Sequence, residues 1–295
     1  MITFRHESFI KEAIEGVLMQ EGEFDLELII ADDCSPDSTS EVVRQFLDNH
    51  PRREWIKYKK HEHNIGMMPN FIYSLKAAKG DYIALCEGDD YWTDTFKLQK
   101  QLDFLEKHED FVLSFHNVFK LNDSTGESVL FREYKDDTYS GVDMFDSWLI
   151  PTASVLFRNV LPAEFPPYFE KATHGDFALF MMLSQHGKLG YLDEAMAIYR
   201  ISDVGVTQTG FKGIHHNLAH VAQLEHMRDD MGRHVSKFNQ RISNYLVSTG
   251  YLYALEGRKK DARDCIRKAF SLNKKEVVKS FKYICLILLY SLKIR

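Results

Sequence analysis

Residues 80–98, GDYIALCEGDDYWTDTFKL, constrain the fold most. An almost wholly apolar run from Tyr82 to Cys86 ends abruptly in Glu87, Gly88, Asp89 and Asp90, and a helical pattern resumes at Phe96. Such a run reads as a buried strand. Carboxylates at its C-terminal tip lie in the crevice where open α/β sheets bind ligands. Neighbouring carboxylates repel one another, and a hard cation relieves that repulsion. Gly88 permits the tight turn that lets them converge on one ion. A cation in such a crevice suggests a phosphate-bearing substrate, although the tetrapeptide alone fits a solvated acidic loop equally well.

The residues before it alternate strand and helix. MITF reads as the tail of a first strand, from either a late start codon or a trimmed chain. Ser8 is expected to cap a helix built on Ile10, Ile14, Val17 and Leu18. The run LELIIA is a second buried strand and also ends in acid, Asp32 and Asp33, before Pro36 stops it. Ser38 with Glu41 has the form of a capping box for a helix carrying Val42, Val43, Phe46 and Leu47. A short strand at 56–62, a turn at Asn64-Ile65-Gly66 and a helix through Phe71, Leu75 and Ala78 follow. Connections of this length imply parallel strands with right-handed crossovers. The runs ending at Ala31 and Cys86 are then expected to deliver carboxylates to the same edge of one sheet.

Beyond the acidic loop, a helix over 96–108, strands at 111–119 and 153–157, and a polar loop or hairpin at 121–139 are expected. Thr173-His174-Gly175-Asp176 opens a helix with Leu179, Met182 and Leu183, and 191–201 reads as extended. From about residue 211 only helical patterns remain, one pair resembling a single tetratricopeptide unit. FKYICLILLYSLKIR, residues 281–295, is too short to span a bilayer; it reads as an interfacial helix flanked by basic residues or as a terminal helix packed on the tail. The net charge of −6 argues against nonspecific nucleic-acid binding. Cys34, Cys86, Cys265 and Cys285 match no metal spacing and read as reduced cytosolic thiols, and no signal-peptide pattern opens the chain. His61, His63, His215 and His216 read as solvated, and Trp92 as packing under the acidic loop.

In this order the motifs resemble glycosyltransferase family 2, the inverting sugar transferases with a GT-A fold. The resemblance rests on ITFRHESFIKEAIEGVLMQ, LIIADDCSPDST, NIGMMPNF, AKGDYIALCEGDDYW, FKLQKQLDFLE and GDFALF. It implies an α/β domain over 1–210, a mostly parallel sheet flanked by helices, with an all-helical region over 211–295. It implies that Thr3 and Phe4 line the nucleotide pocket, that Asp33 accepts a hydrogen bond from the base with Asp32 supporting the turn, and that Asn64 belongs to the nucleotide-sugar site. Glu87 and Asp89 fall on the acidic positions of the DxD motif, with Asp90 beside them. Asp89 or Asp90 would hold Mn²⁺ or Mg²⁺ on the diphosphate, and Asp176 falls on the general base. The implied reaction moves a sugar from a nucleoside diphosphate, UDP foremost, to a hydroxyl of a glycan or lipid-linked acceptor. The implied setting is polysaccharide assembly, in the cytoplasm or peripherally at the inner face of the membrane through 281–295, with no nucleic-acid partner.

Three departures stand out: Glu87 replaces an aspartate, the first strand is short, and Ser202 stands where a histidine often follows the Tyr199–Arg200 pair, so that a histidine contact to metal or diphosphate is absent unless Asp203 replaces it. Two other readings compete. A nucleotidyltransferase would also use a parallel sheet and acid-bound metal, but RHESF lacks the glycines of a phosphate loop. An inactive scaffold would bind partners through the helical region.

Overall fold

The computed structural model describes residues 1–202 and 213–279. The chain divides into two compact units, Met1–Pro166 with Gly175–Asp203, and Pro167–His174 with Val204–Arg295.

The first unit opens with β1 (Ile2–Thr3), α1 (Ile10–Leu18), β2 (Leu28–Asp32), α2 (Thr39–Asn49), β3 (Ile56–Lys60) and α3 (Met67–Ala77). The three strands form a parallel ladder in the order β1-β2-β3, with Thr3 opposite Asp32 and Asp32 opposite Lys60. All three therefore release their chain at the same end. Then come β4 (Tyr82–Ala84), β5 (Tyr91–Trp92), α4 (Lys97–Lys107), β6 (Phe111–Asn122), β7 (Ser128–Leu130), β8 (Thr138–Tyr139), β9 (Leu156–Arg158), α5 (Gly175–Leu183) and β10 (Lys188–Ile201). They build a second, mixed sheet, β4-β9-β6-β10-β5, in which β6 and β10 run parallel and β7 makes the hairpin with β6.

The expectation of one continuous sheet through Cys86 is corrected here. β4 pairs antiparallel with β9, and the Leu85 amide donates to Val155 O. One backbone bond, Gly88 N–H to Ile2 O at 3.0 Å, joins the acidic loop to β1. The two acidic turns thus come from separate ladders that meet at β1.

Both predicted serine caps fail. Phe9 occupies the α1 cap position without a side-chain bond, and the Ile10 amide is satisfied by His6 O at 2.8 Å. At α2 the Ser38 hydroxyl makes no cap bond. Asp37 Oδ1 instead accepts the Thr39 amide at 3.2 Å and its hydroxyl at 2.7 Å, a carboxylate being the stronger acceptor.

Ile10, Ile14, Val17 and Leu18 of α1 pack with Leu28, Ile30, Val43, Trp92, Leu98 and Leu105 as the core. Gly16 permits the close approach of α1 to β5: a Cβ there would lie 2.8 Å from the Trp92 backbone nitrogen. Trp92 is itself buried, donating to Ala153 O at 2.9 Å, with Lys97 Nζ 4.1 Å from its ring centre.

Lys97 is fully buried, and the only hydrogen bond its ammonium makes among the described residues is to Gln101 Oε1 at 2.7 Å. Burial lowers its pKa to about 7. The unfolded chain holds this proton until about pH 10.4, so between the two values the unfolded state binds more protons and stability rises with pH. We expect Lys97→Met to stabilise the protein by about 2 kcal/mol at pH 6. The gain should shrink toward pH 10, as the wild-type lysine sheds its proton. Urea melts at several pH values check this; a gain independent of pH would contradict it.

The second unit contains a single helical turn at Pro167–Glu170, then α6 (Ile214–Met231), α7 (Val235–Leu255), α8 (Lys259–Leu272) and α9 (Lys274–Lys279). Phe238, Ile242, Leu246, Ala262 and Ala269 are buried between its helices. Two of the four histidines expected to be solvated are not. His216 is half-buried against the His174 ring at 5.3 Å, and His61 Nε2 lies 2.9 Å from Asn70 Oδ1. Among the described residues no helix is long and apolar enough to cross a membrane. Asp203 and residues 281–295 lie outside the described residues.

Candidate active site

The first cluster forms where β1, β2 and the turn before α3 come together. Asp32 is fully buried; its Oδ1 accepts the Ser35 amide at 2.8 Å and its Oδ2 the Tyr58 hydroxyl at 2.7 Å. Asp33 grips the next turn: Oδ1 accepts the Ile65 amide at 2.6 Å and Oδ2 the Gly66 amide at 3.0 Å, while Asn64 Nδ2 donates to Asp33 O at 3.2 Å. The two carboxylates thus hold the backbone frame of this cluster. Arg5 and Cys34 both adopt left-handed backbone, φ 61° and 59°, which is costly for side chains other than glycine and found where a site over-determines the chain. The Arg5 amide donates to Ser35 Oγ at 3.0 Å and ties the two bends together. Phe4 is partly exposed beside them, with the Arg5 guanidinium 5.2 Å from its ring centre.

The second cluster is the acidic loop. Asp90 is 1% exposed; its Oδ1 accepts the Arg200 amide at 2.8 Å, and its Oδ2 has no partner among the described residues. The Asp89 side chain is 26% exposed and reaches 3.9 Å from His6 Nε2. Glu87 is half-buried. Its pKa is raised to about 8 by burial first, then by Asp89 and by Asp176. Burial, then Asp89 and Glu87, push the Asp90 carboxyl well above the usual range. Carboxylates from the acidic loop and from the first turn of α5 therefore share one electrostatic neighbourhood. α5 is held there by close packing: a Cβ on Gly175 would lie 2.6 Å from Met68 Sδ. Asp176 Oδ1 accepts the Phe177 amide at 2.8 Å.

Arg200 locks the loop from behind. Its guanidinium, 6% exposed, donates to Asp89 O at 3.0 Å, to Asp123 Oδ1 at 3.0 Å and to Glu12 Oε2 at 2.7 Å. Its face also covers Phe9 and Tyr91. The Tyr199–Arg200 pair is visible in sequence but this role is not, because the partners are scattered from residue 12 to residue 123. Ser202 is buried.

A divalent cation fits this loop in part. Among the described residues no three His, Cys, Asp or Glu side chains are arranged to hold a metal. The protein would therefore supply one or two ligands, as suits a cation that keeps phosphate oxygens and waters. Three buried polar atoms at the loop, Thr3 Oγ1, His6 Nδ1 and Asp90 Oδ2, lack partners among the described residues. Such groups are rare unless a missing ligand or water completes them.

The description Glycosyl transferase family 2 is that of the family model that matches residues 1–158. The chain belongs to glycosyltransferase family 2. The Mycobacterium tuberculosis protein Rv1520 is 32% identical over 216 residues, 71% of this chain and 60% of the relative. The chain thus spans less than two thirds of that relative's length. Escherichia coli WfaP, described as a UDP-Glc:alpha-D-GlcNAc-diphosphoundecaprenol beta-1,3-glucosyltransferase, is 28% identical over 69% of this chain and 76% of its own. Among solved structures, Staphylococcus aureus TarS 1-349 in complex with UDP-GlcNAc gives a TM-score of 0.59 at 14% identity, covering 95% of this chain and 90% of that one. The mannosyltransferase PcManGT of Pyrobaculum calidifontis, in complex with GDP-Man and Mn²⁺, gives 0.52 at 13% identity, covering 99% and 85%. These likenesses show the GT-A fold of the family 2 chain and a helical C-terminal region.

Proposed function

We propose that this family 2 protein transfers a sugar from a nucleoside diphosphate, UDP foremost, to a hydroxyl of a glycan or lipid-linked acceptor in cell-surface polysaccharide synthesis. The observation that carries the reading is the shared neighbourhood of Glu87, Asp89 and Asp176 beside the end of β1. The printed description of WfaP, with a UDP-sugar and a lipid diphosphate acceptor, supports the donor and acceptor classes, and the UDP-GlcNAc on TarS supports the nucleotide.

Thr3, Phe4, Asp32, Asp33 and Asn64 form the nucleotide side of the site, with the partly exposed Phe4 ring as a surface for the base. Asp89 is the metal ligand in this reading, because its carboxylate is partly exposed, whereas Asp90 is enclosed and bonded to the Arg200 amide. When bound, Mn²⁺ or Mg²⁺ offsets the charge that builds on the departing diphosphate. Asp176 accepts the proton of the acceptor hydroxyl as that oxygen attacks the anomeric carbon from the opposite face. The outcome is inversion. An ordinary carboxylate is a weak base, so positioning supplies much of the gain. Action at the inner membrane face through 281–295 rests on the sequence pattern alone.

Calorimetric titration with UDP, with and without Mn²⁺, tests the reading; metal-dependent binding is expected. Release of pyrophosphate from a nucleoside triphosphate and a sugar phosphate would favour nucleotidyl transfer instead.

A further inference from the structure

His6 plays no part in the reading above, yet it lies against the acidic loop. Its Nε2 is 3.9 Å from Asp89 Oδ2. That separation is too long for a hydrogen bond and short enough for one small cation to contact both atoms. The ring is set by its surroundings. The His6 amide donates to Thr39 Oγ1 at 3.0 Å, and His6 O accepts the Phe9 and Ile10 amides at 2.9 and 2.8 Å. On the far side of the ring, Nδ1 faces Gly88 so closely that a Cβ there would lie 2.7 Å away. Thr3 Oγ1 lies at the same 2.7 Å from that position. Thr3 is 2% exposed, and among the described residues neither its hydroxyl nor His6 Nδ1 has a partner.

From this geometry we infer that His6, through Nε2, is a protein ligand to the divalent cation that accompanies the nucleoside diphosphate, sharing it with Asp89. The inference rests on the proposed function, since it concerns the cation of that site. Mn²⁺ favours oxygen ligands and takes imidazole less readily than the later transition metals do, so one imidazole beside one carboxylate, the rest being phosphate and water oxygens, gives the two protein ligands that such a site accommodates. A ligating histidine needs a group to hold its other nitrogen. Thr3 Oγ1, the second unpartnered atom facing Gly88, is the acceptor for the Nδ1 proton once the loop closes on the ion. Gly88 is required because any side chain would occupy the space between the two.

The experiment is electron spin echo spectroscopy of Mn²⁺ bound to the full chain with UDP. Wild type should show ¹⁴N coupling from a directly bound imidazole, replaced by ¹⁵N coupling in histidine-labelled protein. His6→Gln should lose the coupling and bind Mn²⁺ about tenfold or more weakly at saturating UDP, with UDP affinity in the absence of metal unchanged. The side chain is partly exposed, so the variant is expected to fold, and the wild-type spectrum decides the question without it. Mn²⁺ bound with UDP but showing no imidazole coupling overturns the inference and leaves the proposed function standing. Coupling that persists in His6→Gln assigns the ligand to another histidine and also overturns it. Absence of any Mn²⁺–UDP complex removes both.

Discussion

Asp176→Asn is expected to cut sugar transfer by at least about 100-fold, the range of a lost general base, or roughly 3 kcal/mol of barrier. Metal-dependent UDP binding should stay within about threefold of wild type. The substitution is nearly isosteric, and the bond that Asp176 Oδ1 accepts from the Phe177 amide can be kept by the asparagine carbonyl, so the start of α5 is preserved. What disappears is the capacity to take a proton. Asp176 also adds to the repulsion felt by Glu87. Its neutralisation therefore relieves the acidic loop and does not weaken nucleotide binding by charge loss. The two effects can be separated by measuring UDP release at saturating donor beside calorimetric affinity. Turnover within twofold of wild type would remove Asp176 as the base. Equal losses of turnover and of UDP affinity would mean that the residue holds the site together without acting on the proton.

Arg200→Met should damage both the fold and the site. Its ion-pair partners are half-exposed, Glu12 at 49% and Asp123 at 39%, so solvent screens much of each pair. The bond to Asp89 O and the buried face against Phe9 and Tyr91 carry more of the loss. The sum is about 2–3 kcal/mol, or a fall in Tm of roughly 5–10 °C at this size. Because Asp89 O loses its donor, the Mn²⁺-dependent part of UDP affinity should fall as well. Arg200→Lys keeps one charge-assisted bond and should recover part of the stability. Glu12→Gln and Asp123→Asn should each cost less than about 1 kcal/mol. If Arg200→Met melts like wild type, the clamp is a description of contacts without energetic weight. If it melts lower but keeps full Mn²⁺-dependent affinity, Arg200 supports the fold and does not shape the loop.

The parts of this protein legible in sequence are those set by neighbours along the chain. Apolar runs that stop at Asp32 and at Glu87 announce strands ending in acid, and the spacing of Ile10, Ile14, Val17 and Leu18 announces α1. The division into two ladders was not legible, because a three-residue β4 takes its partner from β9, far along the chain, and no local pattern encodes that choice. The absence of a Ser38 cap has a related cause: the bond that fixes the start of α2 is the one Asp37 accepts from the Thr39 amide, a different amide from the one a capping serine takes, and the choice is made by geometry. His6 carries no signal in sequence, since its meaning depends on Asp89 approaching from another segment. Arg200 was visible as a motif residue, but its partners were not. The ring cluster of His174, His216 and His220 has the same origin, two of its members one helical turn apart and the third distant in the chain.

The central claim is that the acidic loop and the end of β1 form one metal-assisted nucleotide site. Titrating UDP, GDP, CDP and ADP into the full chain by calorimetry, with and without Mn²⁺, tests it most directly. The account predicts that UDP binds best, that Mn²⁺ strengthens its binding at least about tenfold, and that Asp89→Asn abolishes this enhancement. No binding of any nucleoside diphosphate, or binding indifferent to both Mn²⁺ and Asp89, would contradict it.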